Sequence, residues 1–235
     1  MLEPLLGSIA IMLLIATIVA RIEVHWWWIR CFEFPRLQIA SLALIISLLT
    51  VIFVNPGPWQ WTALCATGIT MLIQAYYILP WTPIWPVQVI SAKSPDADRT
   101  ITLLIANVLT PNRQTDALLG MIKHHQPDII LTLESDQWWQ DQLDPSLGEN
   151  WPHSVKVPLD NLYGMHLYSR LPLKNPSVEW LIQDDIPSIH THITLANGEN
   201  IRLYAVHPRP PAPGESEKSL WRDAELLLIG KKIHQ

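Results

Sequence analysis

Pro127-Asp-Ile-Ile-Leu-Thr-Leu-Glu134 sets a Pro-Asp pair, five strand-forming residues and a carboxylate in one line. Proline and aspartate end what precedes them, and an apolar run this short reads as a strand buried on both faces. Upstream, Asp116–His125 has helical spacing, with Leu118, Leu119 and Ile122 on one side and an acidic residue near its start. Before it, Thr100–Leu109 is β-rich and apolar and predicts a first strand. Downstream, Gln137–Leu143 reads as a short helix, and strands are expected at Gly164–Ser169, His190–Leu195 and Ile201–Val206. Asn197-Gly198 between the last two is a hairpin signal, which makes them antiparallel. Glu215 to about Lys232 predicts a helix with Leu220, Ala224, Leu227 and Leu228 turned inward. Mixed strands and helices of this kind point to an α/β sandwich. No Gly-rich phosphate loop, HExxH pair or G-x-S-x-G elbow is present.

The first 90 residues are different in kind. They hold three Arg, three Glu and seven of the 12 Trp, while the formal charge of −5 falls on the remainder. Pro4–Ala20, Leu37–Val54 and Trp59–Leu79 carry no charge, and each approaches the ~20 helical residues that cross ~30 Å of hydrocarbon. Trp26, Trp27, Trp28, Trp59, Trp61 and Trp81 border these runs, as interfacial indoles do. The reading is a multi-pass membrane domain over 1–80, a Pro-rich linker over 81–99 and a water-soluble domain over 100–235. Glu3 and the lack of a basic region before the first run argue against a cleaved leader. Arg21, Arg30 and Arg36 share the first loop, so the positive-inside rule expects that loop and the soluble domain in the cytoplasm; Lys93 and Arg99 agree. A periplasmic or extracellular domain is the alternative. The near absence of polar residues in the runs disfavours a transporter. Cys31 and Cys65 are too few for a disulfide framework, and the acidic balance disfavours a basic nucleic-acid binder.

Three polar residues end otherwise apolar strands: Asn107 after Leu-Leu-Ile-Ala, Glu134 after Ile-Ile-Leu-Thr-Leu, and His207 after Leu-Tyr-Ala-Val. At strand ends, side chains from separate strands can converge. A Glu there offers oxygen to a hard cation, an Asn amide orients a carboxylate without adding charge, and a His moves protons near neutral pH. Tyr163 and Arg170 are further candidates for lining a substrate groove. His190-Thr-His192 puts two imidazoles on one strand face, where a hydrogen-bonded pair is favoured over a metal pair.

Taken in order, Ile105-Ala-Asn-Val-Leu109, Pro127–Glu134, Tyr163-Gly-Met-His-Leu-Tyr-Ser-Arg170 and Tyr204-Ala-Val-His-Pro208 resemble the motifs of the endonuclease/exonuclease/phosphatase superfamily. The Pro208-Arg-Pro-Pro211 tail is similar to that of a bacterial branch with several N-terminal membrane helices. The resemblance implies a deoxyribonuclease-like α/β sandwich, of which this chain would hold the first half after its transmembrane helices. It also implies a Mg²⁺- or Mn²⁺-dependent phosphoester hydrolase, with the metal on Glu134, a supporting role for Asn107 and a phosphate hydrogen bond from His207. A phospholipid headgroup or nucleic acid would be the substrate, and the lipid bilayer a partner.

The chain departs from that family where a later Gly-Asp-x-Asn motif and an Asp-His pair are expected; Asp223 lies in a helical pattern and His234 follows Ile233. The expectation is therefore a truncated domain that binds the cation weakly and hydrolyses phosphoesters very poorly. The alternative is a non-catalytic membrane protein carrying a degenerate hydrolase remnant.

Overall fold

The computed structural model describes residues 2–91, 96–212, 214–216 and 218–234, so Lys93 lies outside it. The described chain divides into two compact units, Met1–Ser91 with Pro211–Ser219, and Ala92–Pro210 with Leu220–Gln235.

In the first unit the apolar runs form α1 (Leu2–Val19), α3 (Arg36–Phe53) and α4 (Pro58–Ile78), with a single turn, α2 (Trp27–Arg30), in the first loop. All three long helices are apolar and long enough to cross a membrane. They pack through small side chains: Ala10, Ala43, Ala63 and Ala66 are buried. A Cβ on Gly7 would come within 2.7 Å of the Trp59 ring, so the missing side chain is what lets that indole close on α1. The runs are less purely apolar than their sequence suggests. Thr17, Thr50, Thr67, Thr70 and Gln74 all turn inward and are fully buried. Thr50 and Thr67 bond back to their own helices, while Gln74 Nε2 donates across to Thr17 Oγ1 at 3.0 Å. In the same unit Ser219 N donates to the His25 carbonyl at 2.7 Å and Lys218 Nζ lies 5.1 Å from the Trp26 ring centre, so residues 218–219 meet the first loop.

The second unit has two sheets. β1 (Leu103–Asn107), β2 (Ile129–Leu133), β3 (His153–Val157) and β4 (Met165–Ser169) make one, in the order β1-β2-β4-β3. β5 (Leu173–Glu179), β6 (Ser188–Thr194) and β7 (Asn200–Val206) make an antiparallel meander. β1 runs parallel to β2 because α5 (Asp116–His125) carries the chain back between them. Alternation then sorts the β2 side chains. Ile129 and Leu131 face Ile189, Ile193 and Ala205 of the second sheet, whereas Ile130 faces α5 and α6 (Gln137–Leu147) through Leu118, Ile122, Trp139 and Leu143. A helix layer, a mixed sheet and an antiparallel sheet thus stack in that order. The α/β sandwich expected from the sequence is the observed class.

Two strands, β3 and β5, have no apolar run to announce them; β5 is mostly exposed and contains Pro176 and a register shift between Lys174 and Ser177. The inward face expected for the last helix, α7 (Leu220–Ile233), is corrected. Glu225 and Ile229 are buried, whereas Leu220, Leu227 and Leu228 are exposed. The helix is turned this way by its C-terminal end: Lys232 pairs with Glu179 on β5 at 2.5 Å, and Arg202 on β7 donates to the carbonyls of Lys232 and Ile233.

Two outcomes follow. Gly164 has no room for a side chain, since a Cβ would overlap the Ser135 carbonyl oxygen and the Leu159 backbone. Gly164→Ala should therefore cost about 1–3 kcal/mol or more in chemical denaturation. Burial raises the Glu225 carboxyl from 4.5 to about 7. A raised folded value stabilises the fold fully below the unfolded value and less as pH climbs through the folded one. The Tm advantage of Glu225→Gln over the parent should accordingly widen between pH 4.5 and 7.

Candidate active site

Parallel pairing sets Asn107 opposite Leu133, so the next residue along β2, Glu134, emerges beside the Asn107 side chain. The chain turns sharply there. Glu134 has φ 58° and Leu109 has φ 61°, left-handed values that non-glycine residues seldom adopt. The surroundings hold both turns. Val108 N donates to the Leu133 carbonyl at 3.0 Å, Thr110 Oγ1 donates to the Glu134 carbonyl at 2.8 Å, and Leu109 N donates to Asn107 Oδ1 at 3.1 Å. Residues kept in such conformations cost about 1–3 kcal/mol and collect at functional sites.

The carboxylate so presented has two partners on one oxygen. Asn107 Nδ2 donates to Glu134 Oε1 at 2.5 Å, and His207 Nε2, at the end of β7 in the other sheet, lies 3.4 Å from the same atom. The side chains of Glu134 and His207 are 15% and 21% exposed, so the group is recessed but open to a ligand. Tyr163 is buried just ahead of β4 and its ring centre lies 5.6 Å from that of His207. The structure thus brings Asn107, Glu134, His207 and Tyr163 together at one end of the sandwich.

Arg170 is placed elsewhere. β4 is antiparallel to β2, with Met165 across from Leu133 and Ser169 across from Ile129. Tyr163 therefore falls at the Glu134 end of the sheet and Arg170 at the other. There Arg170 N donates to the Asp128 carbonyl, and the guanidinium bonds Gln126 Oε1 and lies 4.4 Å from the Trp151 ring centre. His190 and His192 also separate in role. His190 is buried between Glu179, 3.0 Å away, and Ser188, while His192 is exposed. Among the described residues no cluster of three His, Cys, Asp or Glu side chains could hold a metal.

Several charged neighbours are not among the site residues that the sequence singles out. Asp136 caps α6 by accepting from Trp139 N at 3.0 Å, and its two oxygens accept from both Arg113 Nη atoms at 3.0 and 2.7 Å. The Arg113 guanidinium holds the Asp136 carboxyl below the usual range against the opposing pull of burial. Arg209 lies 5.2 Å from the Tyr163 ring centre and donates to Asp185 Oδ2 at 2.6 Å. An Asp-x-x-Trp helix start was the one available signal for Asp136. Arg113, Asp185 and Arg209 are loop residues, without a period to mark them.

Comparison with known proteins adds the family. The model of the Endonuclease/Exonuclease/phosphatase family matches residues 104–235. No curated protein matches. Solved structures similar to this chain include an endonuclease/exonuclease/phosphatase from Beutenbergia cavernae (13% identity, TM-score 0.39, 48% of this chain and 39% of that one). Humanized D. rerio TDP2 is similar at 13% identity and TM-score 0.49, covering 57% of this chain and 56% of that one. C. elegans TDP2 is similar at 11% identity and TM-score 0.49, covering 85% and 60%. The chain thus spans 39–60% of the length of these structures. Enzymes of this family generally use divalent metal ions. With the match extending over more than half of the chain and enclosing Asn107, Glu134, Tyr163 and His207, the protein belongs to the Endonuclease/Exonuclease/phosphatase family.

Proposed function

We propose that this protein is a membrane-anchored, divalent-metal-dependent phosphoester hydrolase whose site is built on Asn107, Glu134 and His207. The observation that carries the reading is the convergence of Asn107 Nδ2 and His207 Nε2 on the single oxygen Glu134 Oε1, from two different sheets. The donor chemistry fits a hard cation: one recessed carboxylate, with water and substrate oxygens left to complete the shell, is how Mg²⁺ is usually held. Bound there, Mg²⁺ or Mn²⁺ would polarise the phosphoryl group and offset its charge.

The chain's own residues do the rest. Asn107 fixes the carboxylate without adding charge, because Leu109 N holds its Oδ1 and so decides that Nδ2 faces Glu134. His207 presents Nε2 at the same opening, where it can donate to a phosphoryl oxygen or hold a proton. The buried Tyr163 ring stands beside the imidazole, its centre 5.6 Å away. The substrate class is a phosphoester, with lipid headgroups favoured over nucleic acid. A formal charge of −5 gives little of the counterion release that tight DNA binding needs.

The membrane reading rests on α1, α3 and α4. Arg21, Arg30 and Arg36 in the first loop support a cytoplasmic side for that loop, and the contact of residues 218–219 with it supports the same side for the chain leading into α7.

Full-length protein in nanodiscs should bind Mn²⁺, read by loss of the free-ion electron paramagnetic resonance signal, and Glu134→Gln should weaken this about tenfold or more. Bis-p-nitrophenyl phosphate turnover should be slow, Mn²⁺-dependent and cut about 10²-fold by His207→Ala. A parent protein that neither binds Mn²⁺ nor turns over would sink the proposal in favour of a non-catalytic remnant. For the membrane side, alkaline carbonate should leave the protein in the pellet and a C-terminal alkaline phosphatase fusion should be inactive in bacteria. A strongly active fusion would reverse the orientation.

A further inference from the structure

Two guanidiniums neighbour the site residues, and they are held very differently. Arg113 is clamped by both oxygens of Asp136, whose side chain is 7% exposed and also caps α6. Taking Arg113 away would strand a nearly buried carboxylate, which is costly. Arg209 makes one contact, 2.6 Å from Nη2 to Oδ2 of Asp185, whose side chain is 51% exposed. A surface pair of this kind contributes about 0–1 kcal/mol. Moreover, Arg209 Nε is buried and has no acceptor among the described residues. The guanidinium therefore uses one arm of its fork while another donor goes unmet, an arrangement that little energy defends.

Its position, by contrast, is well defined. Arg209 lies over the buried Tyr163 ring, which in turn neighbours the His207 imidazole. Asp185 is itself tethered, because Asn161 Nδ2 donates to its carbonyl at 2.8 Å while Asn161 Oδ1 accepts from Tyr163 N at 3.0 Å. The cation is thus preplaced one ring away from His207, paired with a carboxylate that a better anion can displace. A phosphoryl group is such an anion: it carries two charges and accepts both Nη donors side by side, as a single carboxylate oxygen does not.

We infer that Arg209, seated on Tyr163, anchors a subsite for a second phosphoryl group adjacent to the ester handled at Glu134 and His207. The inference rests on the hydrolase reading above and names its substrate class: phosphoesters that carry a neighbouring phosphate. Asp185 keeps the place of that phosphate in the free protein.

The test uses the full chain in detergent micelles with chelator present, so that Glu134 has no metal to recruit, and calorimetry with inorganic phosphate and pyrophosphate. The parent should bind pyrophosphate about tenfold more tightly than phosphate. Arg209→Gln should abolish that preference and Arg209→Lys should keep part of it, since a point charge replaces a fork. Asp185→Asn should tighten pyrophosphate binding several-fold by removing the competitor, an effect that a merely structural Arg209–Asp185 pair would not give. A nucleoside 5′-diphosphate and the soluble headgroup of a doubly phosphorylated lipid, compared in the same assay, identify the source by which binds more tightly. Equal binding of phosphate and pyrophosphate by the parent, binding of neither, or an unchanged preference in Arg209→Gln would overturn the subsite. Loss of Mn²⁺ binding in the parent with the pyrophosphate preference intact would instead strike the metal reading alone.

Discussion

The site depends on the parallel register of β1 against β2. Pairing Asn107 with Leu133 leaves Glu134 as the first residue past the ladder, and the left-handed turn there directs its carboxylate to the Asn107 amide. A shift of one residue would move every β1 side chain to the opposite face and put an apolar residue where the amide stands. The register is secured by burial on both sides of β2: Ile129 and Leu131 in the intersheet core, Ile130 against the helices. The apolar core thus specifies the chemistry at one remove, by deciding which polar residue comes level with which.

Legibility of the sequence followed the same logic. β1, β2 and the hairpin of β6 and β7 were readable because each couples an apolar run or alternation to a turn signal, Asn197-Gly198 for the hairpin. β3 and β5 were not, because no apolar run marks them: Lys156 lies in β3, and Lys174, Asn175 and Pro176 interrupt β5, where Asn175 takes a left-handed φ of 48° at the register shift. Asn107, Glu134 and His207 stood out as polar residues ending apolar strands. Arg170 was a candidate for the substrate groove, yet strand direction, which no single motif carries, sends it to the far end of the sheet. Arg113, Asp136, Asp185 and Arg209 gave little signal, since a charged loop residue looks alike whether it faces water or a neighbouring side chain.

Period also misled in α7. Its leucines recur at helical spacing, and the rule that apolar residues face inward chose them for the core. Two polar contacts at the other end of the helix, Lys232 with Glu179 and Arg202 with the terminal carbonyls, fix the rotation instead and bury Glu225. In the membrane-type helices the error ran the other way. Threonine and glutamine scattered over three apolar segments looked incidental, yet helical geometry gathers Thr17, Thr50, Thr67, Thr70 and Gln74 on inward faces, where a cross-helix bond costs no exposed polar group.

β1 closes its sheet on one side: among the described residues it pairs with β2 alone, and Leu103 and Ile105 are exposed along it. Edge strands open more readily than interior ones, by local fluctuations far cheaper than global unfolding. Asn107 is the last residue of that strand, so the carboxylate's orienting amide is only as persistent as the edge that carries it. Fraying at Asn107 would take the orienting amide away from Glu134 while Leu104 and Ala106 still pack against the core. The lifetime of the assembled site is in this way a property of a strand border, and whatever covers that border sets the fraction of time the site exists.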